Sequence, residues 1–185
     1  MPSVSKELKR EIEELPVVEL QKLVIELAGK NKQNHDYINV RYLSKGSAEE
    51  DLYEATTEFI SSEISQVWMG RGVVQKNIAK YISKCISEIN HYTKTTKNKP
   101  NEARLLLNLI DNVIEGFENE LGTCWTVYDS KLAITVKRLV NLVSNKLHSD
   151  YFIEFEKPIN RCLSILHQRS NFLDIVYNLP NKIEK

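Results

Sequence analysis

NEARLLLNLIDNVIEGFENELG, residues 101–122, is the stretch that decides the fold class of this chain. Its apolar residues recur every three or four positions, which places them on one wide face of an α-helix. That face comprises Leu106, Leu107, Ile110, Val113, Ile114, Phe117 and Leu121. Gly122 follows the last of them and can end the helix. A face this wide is typical of a helix at the centre of a bundle, so we expect residues 101–121 to lie in the core.

Helical spacing of apolar residues continues on both sides of this stretch. Glycine and proline number only 6 and 5, and no strand-like alternation lies between turn residues. The pattern predicts helices at about 5–15, 17–28, 33–43, 47–68, 73–92, 101–121 and 129–147, with a helical region from residue 150. We expect Gly29 to end the second helix, residues 93–100 to form a polar loop, breaks near Pro158 and Ser170, and Pro180 to close the last helix. The fold class is therefore all-α, an antiparallel helical bundle or a short helical-hairpin solenoid of about eight helices.

The chain is long enough for one domain of ordinary size, with 185 residues. The segment Ser44-Lys45-Gly46 resembles a linker between a small N-terminal helical unit, residues 1–43, and a main helical bundle, residues 47–185. We expect the two to form one continuous domain.

Overall charge gives no indication of a partner, because the chain has 25 basic and 25 acidic residues. The N-terminus, MPSVSKELKREIEEL, has charges every few residues and lacks the apolar core of a signal peptide. No stretch approaches the roughly 20 apolar residues of a membrane span. We expect a cytoplasmic protein that does not enter membranes.

Local charge, in contrast, alternates in sign from helix to helix. Residues 47–69 contain six acids and no base, and residues 71–99 contain seven bases and one acid. Residues 101–122 are again acidic and residues 130–149 again basic. Neighbouring helices would then face each other with opposite charges, which favours one registry over others.

A basic stripe is the first candidate binding site. Lys76, Lys80 and Lys84 are spaced by four residues, opposite the apolar face of their helix, so they should point to solvent together. Such a stripe can contact an anion or a nucleic-acid backbone. It can equally be a solvated face that balances an acidic neighbour, which is what most charge runs are.

Arg161 and His167 are the only candidate catalytic residues. Their Arg-x5-His spacing falls within the range used by helical ribonucleases of the HEPN type. In such a site His167 would act as general base and Arg161 would stabilise developing charge. On one straight helix, however, the two lie about 120° apart and would diverge.

Metal and cofactor sites are not indicated by the sequence. Glu88 and His91 form one Glu-x-x-His, whereas a di-iron bundle needs two. The three cysteines, Cys85, Cys124 and Cys162, are far apart in sequence, and we expect them to be buried and free. No phosphate-binding or dinucleotide-binding glycine motif is present.

Four segments give the chain a resemblance to a family of uncharacterised all-helical bacterial proteins that share a domain of unknown function. They are LKREIEELPVVELQKLVIELAGKN, a leucine-rich helical hairpin at 8–31, YINVRYL at 37–43, LLLNLIDNVIEGFENELG at 105–122 and YDSKLAITVKRLV at 128–140. The resemblance covers most of the chain. It implies an all-helical fold and no activity.

The leading functional hypothesis is a non-enzymatic protein-interaction or regulatory module, because helical surfaces without a polar pocket commonly bind other chains. Its partner would be another protein or a second copy of the chain. Two alternatives stay open: a nucleic-acid-binding regulator that uses Lys76, Lys80 and Lys84, and a HEPN-like ribonuclease that uses Arg161 and His167.

Overall fold

The computed structural model describes residues 4–44 and 46–184, and within these ranges every regular element is a helix. This confirms the predicted all-α class. Eight of the described α-helices have seven or more residues. None of them combines the length and the apolar character that crossing a bilayer requires. The chain divides into two compact units, Met1–Glu49 and Glu50–Lys185.

The N-terminal unit contains three α-helices and one π-helical turn. They are α1 (Lys6–Glu13), α2 (Val17–Lys30), α3 (Lys32–Ile38) and the turn Asn39–Leu43. Helix α2 packs against α3 as a hairpin. The expectation that Gly29 ends the second helix is wrong, because Gly29 lies inside α2. The chain turns at Asn31 instead, where the backbone is extended and the side-chain oxygen accepts a hydrogen bond from Asn34 N at 2.9 Å.

The second unit is a bundle of longer helices. Helix α4 (Ser47–Glu63) runs into it, followed by α5 (Ser65–Met69), α6 (Val74–Thr96), α7 (Lys99–Phe117), α8 (Val127–Lys146), α9 (Phe152–Arg169) and α10 (Leu173–Val176). Short 3₁₀ turns occupy Glu118–Glu120 and Ser149–Tyr151. Helix α6 packs against α7 and α8, and α8 also packs against α7 and α9. Short connections join α6 to α7 and α8 to α9, so the helices of each of these pairs run antiparallel.

Helix α7 lies at the centre of this bundle, as its sequence predicts. Ile110 and Val113 are fully buried and Phe117 is 1% exposed. Helix α8 shares the central position, because Leu132, Val136 and neighbouring apolar residues are buried along its whole length.

Contacts between α4 and α6 show that these two helices are antiparallel neighbours. The Tyr81 hydroxyl donates a 2.7 Å hydrogen bond to the carbonyl of Ile60. Tyr53, earlier in α4, meets Tyr92, later in α6, edge to face at 6.0 Å. The acidic α4 and the basic α6 are also joined by an ion pair. Opposite charges therefore meet across this helix pair, as the alternation of charge predicts.

The predicted polar loop at residues 93–100 is wrong. Helix α6 continues to Thr96 because Tyr92 and Thr95 are buried and hold its last turns on the bundle. The hydroxyls of Thr93 and Thr96 donate to backbone carbonyls one turn back. Only Lys97, with φ of 60°, and Asn98 separate α6 from α7. The Asn98 side chain then accepts from Asn101 N at 3.0 Å and starts α7.

The predicted breaks near the late prolines are also wrong. Pro158 lies inside α9, where buried Phe155 and Ile159 hold the helix on the bundle on both sides of it. The break at Ser170 is confirmed, because α9 ends at Arg169. Pro180 does not close a helix, since α10 ends at Val176.

Candidate binding groove

An open groove runs along α6 beside the start of α8, with a volume of about 890 Å³. We call it the lysine groove. One wall is α6, and the other is the segment that leads into α8 together with the first turns of that helix. Its lining residues are Lys76, Ala79, Lys80, Ser83, Lys84, Ser87, Cys124, Trp125, Thr126, Val127 and Lys131.

The three lysines of the predicted stripe lie together along one wall of this groove. Lys76, Lys80 and Lys84 are exposed, one turn of α6 apart. Lys131 of α8 adds a fourth exposed positive charge from the opposite side. The sequence missed Lys131 because only the packing of α8 on α6 brings it to the stripe. Among the described residues, no acidic side chain lines the groove.

The four lysines differ in how far their charges are already paired. Lys84 Nζ lies 3.1 Å from Glu63 Oε2, at the edge of the groove. Lys76 Nζ lies over the ring of Trp125, 4.6 Å from its centroid. Lys80 and Lys131 form no ion pair within residues 4–44 and 46–184. Those two ammonium groups are thus available to an incoming anion.

Trp125 is a second candidate binding residue that sequence reasoning missed. Trp125 is 44% exposed, so a large part of its indole ring faces solvent. It follows Gly122, Thr123 and Cys124 in the segment before α8, and its backbone N–H donates to Thr123 Oγ1 at 3.2 Å. The sequence does contain a signal for this residue: a tryptophan lies in a short polar segment between two helices. The helical spacing of apolar residues does not account for it.

A buried aspartate fixes the segment that carries Trp125. Asp129, in the first turn of α8, is fully buried. Its Oδ2 accepts hydrogen bonds from Gly122 N at 3.2 Å, Ser170 Oγ at 2.8 Å and Asn171 N at 3.1 Å. The carboxylate thereby ties the turn before α8 to the turn after α9.

The contact between the turn before α8 and the turn after α9 requires glycine at position 122. Its φ is 72°, which L side chains rarely adopt, and a Cβ there would fall against the carbonyl oxygen of Arg169. Gly122 does not end α7, which ends at Phe117. It instead allows two chain segments to approach closely.

The floor of the groove is apolar although its edges are charged. Ala79, Val127 and the indole of Trp125 supply the floor, together with the aliphatic stems of the lysines. The serine hydroxyls of Ser83 and Ser87 add polar atoms along α6. This combination can bury apolar side chains and can pair with negative charges around them.

Cys124 lies in the same groove and is exposed, so the expectation that all three cysteines are buried is wrong for this one. Cys85 and Cys162 are buried in the bundle. Burial raises the pKa of each of these two thiols to about 12. The groove therefore carries the one exposed thiol of the chain.

The structure places Arg161 and His167 in separate surroundings. Both lie on the continuous helix α9. His167 Nε2 is 3.2 Å from the carbonyl oxygen of Pro180, in the C-terminal segment. Arg161 lies near Asp111 of α7: burial raises the pKa of Asp111, and the guanidinium charge partly opposes that rise. Neither residue lines the lysine groove.

Metal-ligating side chains do not cluster in residues 4–44 and 46–184. These ranges contain no group of three or more His, Cys, Asp and Glu side chains placed to hold a metal ion. Comparison with protein-family models, with curated proteins and with solved structures finds no match to this chain.

Proposed function

We propose that the protein is a non-enzymatic interaction module that binds an acidic, amphipathic helical segment of a partner protein in the lysine groove. The observation that carries this proposal is an apolar floor bordered by four lysines with no acidic residue in the lining. An acidic amphipathic helix offers the complementary surface, with apolar side chains on one face and carboxylates at its borders.

The spacing of the lysines sets the length of the segment. Lys76 to Lys84 spans eight residues of helix, or about 12 Å of rise. A partner helix of about two to three turns would cover this wall and place carboxylates near Lys80 and Lys131. The groove volume of about 890 Å³ is large enough for several apolar side chains.

Nucleic acid is the competing occupant, because lysines beside an exposed tryptophan can also hold a phosphate backbone and a stacked base. Two features favour the protein segment. One face of Trp125 is already covered by Lys76, which leaves less of the ring for a base. The apolar floor would moreover stay uncovered beneath a phosphate backbone.

Binding of labelled probes, followed by fluorescence anisotropy, tests the proposal. The probes are a Glu/Leu amphipathic peptide, a scrambled peptide of the same composition whose leucines do not share a helical face, and a single-stranded oligonucleotide of similar length. We expect the amphipathic peptide to bind best, with an affinity that falls as salt is added.

Charge reversal in the groove supplies the matched variants. Lys80→Glu and Lys131→Glu should each weaken peptide binding roughly tenfold, about 1.4 kcal/mol. Lys137→Glu is the control, because Lys137 is an exposed lysine on the same helix as Lys131 and lies outside the groove. Equal effects of all three variants would contradict the groove as the site.

The same probes separate the alternatives. Binding of the oligonucleotide alone, weakened by Lys80→Glu, would replace this proposal with a nucleic-acid-binding one. Cleavage of an RNA probe that is lost in Arg161→Ala and in His167→Ala would favour the ribonuclease. Binding of both peptides with equal affinity would show general attraction of acidic chains and would overturn the proposal.

A further inference from the structure

A second cavity continues the lysine groove along the same two helices, α6 and α8. Its volume is about 260 Å³, and we call it the isoleucine pocket. Its lining residues are Ile82, Ser83, Ile86, Lys131, Ile134, Thr135 and Arg138. Ser83 and Lys131 line both cavities, so the two adjoin. Together they form one cleft that is longer than the lysine groove alone.

Helices α6 and α8 run in the same direction beside this cleft. Near the start of α6, Lys76 lies over the ring of Trp125, which comes just before α8. Further along both helices, Arg138 Nη1 donates a 2.7 Å hydrogen bond to Asn90 Oδ1. The N-terminal ends of both helices therefore lie at the lysine-groove end of the cleft.

Each of the two helices presents to the cleft a stripe of residues that are alternately three and four positions apart. The stripe of α6 is Lys76, Ala79, Ser83 and Ile86, and the stripe of α8 is Val127, Lys131, Ile134 and Arg138. At 100° per residue, each stripe falls within about 80° of its helix circumference. Helices pack along one another through residues at this spacing. A third helix whose apolar side chains have the same spacing can therefore lie in the cleft.

The two ends of the cleft differ in chemistry. At the lysine-groove end, Lys80 and Lys131 form no ion pair within residues 4–44 and 46–184. At the other end, Arg138 Nη2 is already paired with Glu102 Oε1 at 2.6 Å. Ile134 lies beside it and is 50% exposed. Carboxylates of a bound helix are thus attracted to the first end, whereas the second end favours apolar side chains.

The direction of a bound helix follows from the charges at the lysine-groove end. This end has four lysines and the N-termini of α6 and α8, which carry partial positive charge. It therefore attracts the C-terminus of a bound helix, which carries partial negative charge. We infer that the partner segment lies antiparallel to α6 and α8, with an acidic C-terminal half in the lysine groove and an apolar N-terminal half in the isoleucine pocket. This inference rests on the proposed function.

The span of the cleft sets the length of the segment. Val127 and Arg138 are 11 positions apart on α8, which corresponds to about 16 Å of helix rise. A bound helix needs at least about three turns to reach both cavities.

Two peptides of about 16 residues test the isoleucine pocket. Both have glutamates in the C-terminal half only. The first has leucines at helical spacing along its whole length, and the second has glutamines in place of the N-terminal leucines. Ile134→Gln should weaken binding of the first peptide about fivefold and leave binding of the second unchanged, because only the first fills the pocket.

Ile153→Gln is the matched control for this variant. Ile153 is an exposed isoleucine of α9 that lies outside both cavities. It should change the binding of neither peptide. An equal effect of Ile134→Gln on the two peptides, or an equal effect of the two variants on the first peptide, would overturn the role of the isoleucine pocket.

Cys124 tests the direction of the bound helix, because its exposed thiol lies in the lysine groove. The first peptide is prepared with a cysteine at its N-terminus or at its C-terminus, in each case as a mixed disulfide with thionitrobenzoate. The thiolate of Cys124 attacks the peptide sulfur, forms a disulfide with the peptide and releases thionitrobenzoate, whose absorbance is followed. At saturating concentration, the peptide with the C-terminal cysteine should react at least about tenfold faster. Cys124→Ser should remove this reaction.

The outcomes separate this inference from the proposed function. If the first peptide binds no better than a scrambled peptide of the same composition, the proposed function and the inference both fail. If it binds and Lys80→Glu weakens it, but Ile134→Gln has no effect, the inference fails and the proposed function stands. Equal reaction rates of the two cysteine peptides, or a faster reaction of the N-terminal one, would likewise overturn the inference alone.

Discussion

Lys76 and Trp125 are in direct contact, with the ammonium nitrogen 4.6 Å from the centre of the indole ring. The two residues are 49 positions apart in sequence and come from opposite walls of the lysine groove. Their contact joins the basic stripe of α6 to the segment before α8. The lysine stripe and Trp125, which are far apart in the sequence, therefore form one surface.

Trp125→Ala should weaken binding of the acidic amphipathic peptide roughly tenfold, because it removes both the largest apolar part of the floor and the support of Lys76. Trp125→Phe should have a smaller effect, since a ring is kept. The free energy of unfolding should change little because Trp125 is 44% exposed. Peptide anisotropy and urea denaturation measure the two effects. A large loss of stability without a loss of binding would show that Trp125 has a structural role only.

Thiol reactivity should report occupation of the groove. In the native protein, one thiol should react quickly with a disulfide reagent, and all three should react after denaturation, because Cys124 is exposed and the other two are buried. Cys124→Ser should remove the fast reaction. Saturating acidic peptide should slow it, whereas the scrambled peptide should not. An unchanged rate at saturation would mean that the peptide binds elsewhere.

An ion pair in the bundle links three helices and should be costly to break. Arg138 Nη2 donates to Glu102 Oε1 at 2.6 Å, and Arg138 Nη1 donates to Asn90 Oδ1 at 2.7 Å. Glu102 is only 8% exposed, so Arg138→Ala leaves a nearly buried carboxylate without its charge partner. We expect a loss of roughly 3 kcal/mol in the free energy of unfolding. Lys137→Ala, at the neighbouring exposed position, should change it by less than about 0.5 kcal/mol.

The ion pair between Arg138 and Glu102 is an example of a feature that the sequence indicated correctly. The acidic residues 101–122 and the basic residues 130–149 indicated that opposite charges meet, and Glu102 and Arg138 do so. The all-α class and the central position of Phe117 followed from apolar spacing, because that spacing records which face each helix buries. These features follow from patterns of charge and apolar residues within single helices.

The features that could not be predicted depend on tertiary packing. Lys131 and Trp125 reach the stripe only because α8 packs against α6. Pro158 is tolerated within α9 because buried neighbours hold that helix in place. The stripe of α6 was visible in the sequence, but the apolar floor that turns it into a groove was not, since the floor combines residues of two walls.

Asp111 should give the stability a pH dependence of known sign. Burial raises the pKa of this carboxyl above its ordinary value of 3.8, so the folded state disfavours the ionised form. Stability from this group is then present below pH 3.8 and is lost as pH rises through the higher folded pKa. Asp111→Asn should therefore be more stable than wild type at pH 7, with the difference vanishing at acid pH. Urea denaturation across this range measures it, with Asp51→Asn, an exposed aspartate, as the control.

Asp129 should control both stability and the shape of the groove. Asp129→Ala leaves three hydrogen-bond donors without their acceptor, those of Gly122, Ser170 and Asn171. A loss of at least about 3 kcal/mol in the free energy of unfolding follows, since each buried donor without a partner costs about 1–3 kcal/mol. Urea denaturation would measure it.

Asp129→Asn removes the charge of this side chain but keeps its shape, so it shows how much of the effect depends on the charge. The amide keeps one acceptor oxygen, so the loss of stability should be smaller than in Asp129→Ala. It also places an N–H₂ where Asp129 Oδ1 has no partner among the described residues, so some loss should remain. Because the turn that carries Trp125 would be held less firmly, peptide affinity should fall in the order wild type, Asn, Ala at a temperature where all three are folded. Equal affinities in the three proteins would show that the groove keeps its shape without this carboxylate.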